Sequence, residues 1–304
     1  MFKKFKCKAL LVGLMSLGLV SGVNAKQLTV GMSFQELNNE YFVTMKQSLE
    51  AATSDINAKL YTADAAHDVS KQISDIEDMI QKKIDILLIN PADSVGAEAA
   101  VIAAKKAGVV VVAIDAQANG PIDSFVGSKN YDAGFIAGES LAAALGNKGN
   151  VAILDGIPVV PILERVRGFE AAMKKHPEIK IVTKLNGKQE RDTAMSVTEN
   201  MLQSNPTLNG IFSVNDVGSL GALAAIQSAG RDVKLVSVDG SPEAVAEIAK
   251  GNTPFIATAA QFPRDQVRIG LGIALAKYWG ANIPATIPVD VKLIDKTNAK
   301  DFHW

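Results

Sequence analysis

The sequence predicts an α/β protein made of two doubly wound parallel-sheet lobes, and three observations lead there. Short apolar runs alternate with helix-period segments almost from end to end. The repeat runs at about 30 residues, the length of a strand and its returning helix. The alternation also starts afresh near residue 125, so that roughly ten strand candidates are found where a single barrel of βα units has only eight.

The first 25 residues stand outside this alternation. Lys3, Lys4, Lys6 and Lys8 precede an apolar run from Ala9 to Val20, and Val23-Asn24-Ala25 supplies small residues for cleavage. This is the layout of a secretory signal peptide. The run is shorter than the about 20 apolar residues of a membrane-spanning helix. A lipid anchor needs a cysteine after the run, whereas Cys7 lies before it. Cleavage after Ala25 leaves 279 residues beginning at Lys26, destined for export. Cys7, the only cysteine, leaves with the peptide, so no disulfide or thiolate chemistry remains. The formal charge moves from −1 to −5, with 27 basic against 32 acidic residues. Such a surface lacks the basic excess of nucleic-acid or anionic-lipid binders.

Leu28, Val30, Met32 and Phe34 open the fold as a strand, which stops at a polar turn ending in Asn38-Asn39. A helix-like segment starts at Glu40-Tyr41-Phe42 and runs over Val43 to Ala58, before a strand from Lys59 to Ala63. Asp68 then caps a helix with Val69, Ile73, Ile76 and Ile80 on one face. Ile84 to Ile89 is a buried strand that ends at Asn90-Pro91, because proline cannot continue a central ladder. An Ala-rich helix over Val95 to Ala107 leads into Val109 to Ile114, too β-branched for a helix and ending at Asp115.

The second set opens with a strand at Phe125-Val126-Gly127 and a helix over Asn130 to Leu145 rich in alanine and glycine. Strands are predicted at Val151–Leu154, Ile179–Lys184, Gly210–Ser213, Val233–Val238 and Phe255–Ala260. Helices are predicted at Pro161–Lys175, Arg191–Gln203, Gly218–Ala229 and Ser241–Lys250, the last opened by a Ser-Pro pair suited to an N-cap and N1. Gly146 to Gly149 reads as a turn. Pro263 starts a last helix reaching about Tyr278, and Ile287 to Leu293 forms a final strand. These late elements can complete a sheet begun much earlier, so the lobes need not be sequence halves.

Catalytic and cofactor motifs are scarce. No G-x-G-x-x-G joins a strand to a helix, no P-loop appears, and no G-x-S-x-G elbow exists. Gly270 and Gly272 lie in an apolar helical run where close packing accounts for them. His67, His176 and His303 are scattered and make no zinc pattern; His176 belongs to a surface-like Lys-Lys-His-Pro turn. A glycosidase carboxylate pair has no motif to nominate it. No cofactor is expected.

A polar residue does recur at the end of apolar strands: Asn39, Asp115, Asn215-Asp216, Asp239 and Gln261. Each alone is explained as a turn or helix cap. Together they share one topological location, since strand carboxyl ends face a single crevice. Their mixture of acceptors and donors suits a neutral polyhydroxylated ligand. Tyr41 and Phe42 offer flat apolar faces for a sugar ring, with packing under the first helix as the plainer role.

From Leu28 to about Leu293 the chain resembles the periplasmic monosaccharide-binding proteins of the ribose-binding type, kin to the effector domain of LacI-type repressors. The resemblance is carried by Leu37-Asn38-Asn39-Glu40-Tyr41-Phe42, Leu87-Leu88-Ile89-Asn90-Pro91-Ala92-Asp93, Ile114-Asp115 and Glu164-Arg165-Val166-Arg167-Gly168-Phe169. Asn215-Asp216 with Leu220-Gly221-Ala222-Leu223, Val238-Asp239-Gly240 and Ala260-Gln261-Phe262-Pro263 complete it. It implies two lobes joined by a three-strand hinge, crossing near Ser128-Lys129, Gln261-Phe262-Pro263 and Asp290-Val291. The lobes then comprise 26–128 with 262–290, and 129–261 with 291–304. The implied ligand contacts are Asn39, Tyr41, Phe42, Asp115, Arg165, Asn215, Asp239 and Gln261, with Gln35 and Gln189 at further pocket positions. Arg165 comes from the resemblance alone; read by itself, it is a surface partner for Glu164 or Glu170.

Ribose binders of this type usually carry arginine after the first aspartate, an aromatic before the second and an aromatic near position 189. Here those places hold Ala116, Val238 and Gln189. The implied ligand class therefore spans pentoses, hexoses and polyols. The resemblance further implies a monomeric periplasmic protein that serves a membrane ABC permease without catalysis. The rivals are a ligand-presenting partner for a chemoreceptor or sensor kinase, and an exported carbohydrate enzyme. A repressor's sensor domain needs a DNA-reading helix pair ahead of Leu28, where this sequence has its signal peptide.

Overall fold

The computed structural model describes residues 26–304; the expected signal peptide at 1–25 lies outside the described residues. The first set of elements is β1 (Thr29–Phe34), α1 (Glu40–Asp55), β2 (Lys59–Asp64), α2 (Val69–Gln81), β3 (Ile86–Ile89), α3 (Glu98–Lys106), β4 (Val110–Ile114) and β5 (Ser124–Ser128). The second is α4 (Asn130–Ala144), β6 (Lys148–Asp155), α5 (Val160–Lys174), β7 (Glu178–Asn186), α6 (Arg191–Ser204), β8 (Leu208–Ser213), α7 (Asp216–Ser228), β9 (Lys234–Asp239), α8 (Pro242–Ala249) and β10 (Phe255–Ala260). Three later elements follow: α9 (Pro263–Tyr278), β11 (Thr286–Val289) and β12 (Lys292–Asp295).

They form two six-stranded sheets, ordered β11-β5-β4-β3-β1-β2 and β12-β10-β9-β8-β6-β7. The first sheet is parallel throughout. The second is parallel except for its edge strand β12, which runs antiparallel to β10. The alternation of β4 explains why helices cover both faces. Val110, Val112 and Ile114 join a core with α1 and α9, while Val111 and Ala113 join one with α2 and α3. Val267, Leu271 and Ala274 are the buried stripe of α9 and return that helix to the first lobe.

Several expectations shift. The first helix begins at Glu40 as expected, capped by the Asn39 side chain, but ends at Asp55 rather than Ala58, before Asn57 at φ +51°. The helix placed at 95–107 begins only at Glu98; the Asp93 carboxylate accepts from Gly96 N–H at 2.6 Å and holds the preceding residues in a turn. The single strand placed at 287–293 is two strands in different sheets, β11 beside β5 and β12 beside β10, with Asp290-Val291 stepping between them. Pro288 fits because β11 is an edge strand. Lys148 and Gly149 belong to β6 rather than to a turn. Gly270 is tightly packed, since a Cβ there would lie 2.2 Å from the Ile114 side chain, but Gly272 faces open space. His176 is not a freely solvated loop residue: its side chain is 18% exposed and its Nε2 lies 3.4 Å from Glu139.

Candidate functional site

The carboxyl ends of β1, β4, β8, β9 and β10 converge on one cleft between the two sheets. All ten residues nominated from sequence line it: Gln35, Asn39, Tyr41, Phe42, Asp115, Arg165, Gln189, Asn215, Asp239 and Gln261. Glu36, Ala116, Val159, Pro161 and Ile162 complete the lining. The cavity they enclose is small, about 50 Å³.

One wall is built from the first lobe. The Asn39 carboxamide oxygen accepts from Tyr41 N–H at 3.0 Å, so this side chain is a helix cap as well as a cleft residue. The Tyr41 hydroxyl donates to Asp115 Oδ1 at 3.2 Å and accepts from Gln266 Nε2 at 2.7 Å. Gln266 reaches on to Ser128 Oγ at 2.8 Å. Phe42 meets Tyr41 edge to face at 5.2 Å, and both rings also belong to the first lobe's core. Asn90, at the end of β3, donates to Asp115 Oδ2 at 3.3 Å and accepts from the Gln35 backbone N–H at 3.2 Å.

The opposite wall centres on Arg165, which projects from α5 and is 5% exposed. Its Nε donates to Asn130 Oδ1 at 2.8 Å, and one terminal nitrogen donates both to the Val214 carbonyl at 2.8 Å and to Asp239 Oδ1 at 3.1 Å. The surface pairing suggested by its neighbours does not form: Glu164 binds Arg167, and Glu170 faces Lys184. Gln261 donates to the same Asp239 oxygen at 2.8 Å, while its own Oε1 is buried without a hydrogen-bond partner among the described residues. Asn215 caps α7 by accepting from Gly218 N–H at 3.1 Å and donates to the Gln189 carbonyl at 3.4 Å. Gln189 holds Ile157 N–H at 3.2 Å through its side-chain oxygen.

Backbone conformation marks the same residues. Asp115, Gln189 and Asp239 have φ of +66°, +62° and +135°, in the region that favours glycine. Aspartate tolerates such conformations better than most residues, but their clustering at a cleft is characteristic of functional strain. Burial pushes the Asp115 carboxyl up to about 6, against the pull of the Arg165 charge and the Tyr41 hydroxyl. Burial also raises Asp239, opposed chiefly by Arg165. Behind it lies Asp216, pushed up to about 7 by burial and by the Asp239 charge. Asp216 accepts from Ser237, from Thr258 Oγ1 at 2.8 Å and from Ser241 N–H at 2.7 Å. Its own N–H donates to Asp239 Oδ2 at 3.2 Å, so it fixes the loop that presents Asp239.

Sequence reasoning left out Asn130, Gln266 and Asn90 as members of this network, and named Asp216 only as a strand-end neighbour of Asn215. Asn90 was discoverable, because it ends a strand as the others do. The other two bond to partners far off in the chain. Of the departures from the ribose-type pattern, Ala116 and Gln189 line the cleft, whereas Val238 is buried in the core with Ala133, Val166 and Phe169 and does not.

Residues 30–280 match the family model described as a periplasmic binding protein domain. The chain is 36% identical to the ribose import binding protein of Bacillus subtilis over 272 residues, covering 89% of this chain and 88% of that one. Among solved structures it resembles an ABC transporter periplasmic solute-binding protein from Actinobacillus succinogenes with bound D-allose, at TM-score 0.86 and 32% identity, covering 91% and 100% of the two chains. It also resembles the Caulobacter myo-inositol-binding protein bound to myo-inositol, at TM-score 0.84 and 28% identity, covering 90% and 95%.

Proposed function

Because the chain belongs to the periplasmic binding protein family, we propose that it captures a monosaccharide or polyol between its lobes and delivers it to a membrane ABC permease. The observation that carries this reading is the composition of one cleft. Three carboxylates, an arginine fork and five carboxamides line it from both sides, with Tyr41 and Phe42 as apolar faces. A hydroxylated ring offers each hydroxyl as donor and acceptor, which this mixture matches. In this scheme Asp115, Asp239 and Asn215 accept from ring hydroxyls, Arg165 donates, and Asn39, Gln35, Gln189 and Gln261 adapt to either role.

Residues 26–128 with 262–290 form one closing unit and 129–261 with 291–304 the other. The chain crosses near Ser128-Lys129, Gln261-Phe262 and Asp290-Val291. Ligand contacts from both units bias the open–closed equilibrium. The protein works as a monomer in the periplasm after removal of residues 1–25. It binds no nucleic acid and turns over no substrate.

A thermal-shift series with D-ribose, D-allose, myo-inositol and xylitol tests the proposal. A ligand at a hundred times its Kd adds about 2.7 kcal/mol to the native state, so at least one member should raise Tm by several degrees. Uniformly flat melting curves at millimolar ligand would refute it.

A further inference from the structure

A second groove runs between the lobes, with Glu40, Thr44 and Gln47 of α1 on one side and Pro242, Val245 and Ala249 of α8 on the other. Residues 299–304 lie along it. A 3-10 turn, Ala299–Asp301, packs on α8, and Phe302 meets Phe262 edge to face with centroids 6.1 Å apart. Trp304 then reaches across to the first lobe. Its ring stands edge-on to Tyr41, 5.7 Å between centroids at 78°. Its indole N–H donates to the backbone carbonyl of Asp239 at 3.0 Å. The same side chain packs against the cores of both lobes.

We propose that Trp304 is a positioning residue of the ligand site, coupling Tyr41 in one lobe to Asp239 in the other from behind the cleft. Both of its contacts are to cleft residues held in constrained geometry. Tyr41 carries the hydroxyl that orients Asp115, so a shift of its ring moves that carboxylate. Asp239 has φ +135° and is followed by Gly240 at φ +79°, a turn that needs outside restraint. The Asp239 carbonyl receives that restraint from two donors, the Gln261 N–H at 2.9 Å and the Trp304 indole. Gln261 stands at an expected hinge crossing. A change in the angle between the lobes therefore alters the surroundings of the indole.

The inference rests on the ligand-capture reading, and one experiment separates the two. The chain has two tryptophans, and the other, Trp279, is 74% exposed at the end of α9. Trp279→Phe leaves Trp304 as the sole emitter. With whichever of D-ribose, D-allose, myo-inositol or xylitol raises Tm, its emission should shift at saturation. Trp304→Ala should weaken affinity about tenfold through the lost hydrogen bond and ring contact, and Trp304→Phe, which keeps the ring, about threefold. Where Trp304→Ala melts much lower than the parent, the Phe variant carries the comparison. An unmoved emission, or the parent's affinity in the variant compared, overturns the role. Should none of the four probes raise Tm, it is the capture reading that falls. Trp304 is then judged in ligand-free protein by small-angle scattering, where a radius of gyration changed by Trp304→Ala supports it and an unchanged one overturns it.

Discussion

Asp115 sits where affinity and stability pull in opposite directions. Its carboxyl lies near 6 because burial penalises the charge. A folded pKa above the unfolded value of about 3.9 means that the native state holds the proton more tightly. That contribution is full below about pH 4 and is lost as pH rises through 6. A sugar hydroxyl donating to the carboxylate favours the ionised form and reverses the preference. Affinity should therefore fall as pH drops below about 6, with a proton released on binding, measurable by calorimetry in buffers of different ionisation heat. Asp115→Asn removes the buried charge, so the ligand-free variant should be more stable at pH 8, by on the order of 1–3 kcal/mol. Asp115→Ala and Asp239→Ala should each cost roughly 1.5–3 kcal/mol of binding, one to two decades in Kd. Unchanged affinity in folded variants would remove both from the site. At this scale, legibility followed locality. Asp115 stands directly after an apolar run and Asn39 closes the turn that follows one, so both were visible from strand ends. Arg165 looked like a surface residue and needed its motif. Asp216 was visible as a strand-end residue but not as the support behind Asp239, and Gln266 acts through partners on other elements that no spacing in the chain announces.

The position of Arg165 depends on how two helices meet. A Cβ on Gly134 of α4 would lie 1.8 Å from the Arg165 carbonyl oxygen, and one on Gly168 of α5 would lie 2.0 Å from that of Tyr131. The two backbones are in contact through this pair of glycines, so α5 is seated against α4 with no room for a methyl group. Gly168→Ala should force the helices apart, costing roughly 1–3 kcal/mol of stability and lowering affinity through the displaced guanidinium. A parallel melting and titration series checks both effects. An alanine variant with the parent's Tm would mean the helices separate freely. The glycines and alanines of 130–145 were legible as unusual, but their meaning was not, because close approach is a property of two helices. The same limit explains the strand placed at 287–293. Its apolar pattern is continuous, and only the presence of two sheets divides it.

At the scale of the molecule, the two-lobe plan was legible because the βα alternation restarts, and the restart needs no tertiary information. The return of α9 and β11 to the first sheet has a consequence in time. On the ribosome, or in a refolding chain read from its amino end, the first lobe is begun first but completed only after most of the second has been made. The helix α9 that covers one face of β4 and the strand β11 that flanks β5 arrive only after β6 to β10 exist. The core of the second lobe, by contrast, is drawn mainly from residues 133–260, with Ile294, Ala299 and Phe302 joining it from beyond β11. Long-range pairing is slow because the loop must close before contacts form. Pulse-labelled hydrogen exchange during refolding should find the amides of β6, β8 and β9 protected before those of β5 and β11. Simultaneous protection would show that sequence separation does not set the order. A polypeptide whose first-begun lobe waits for segments made after most of the second spends much of its synthesis with that lobe still pliable.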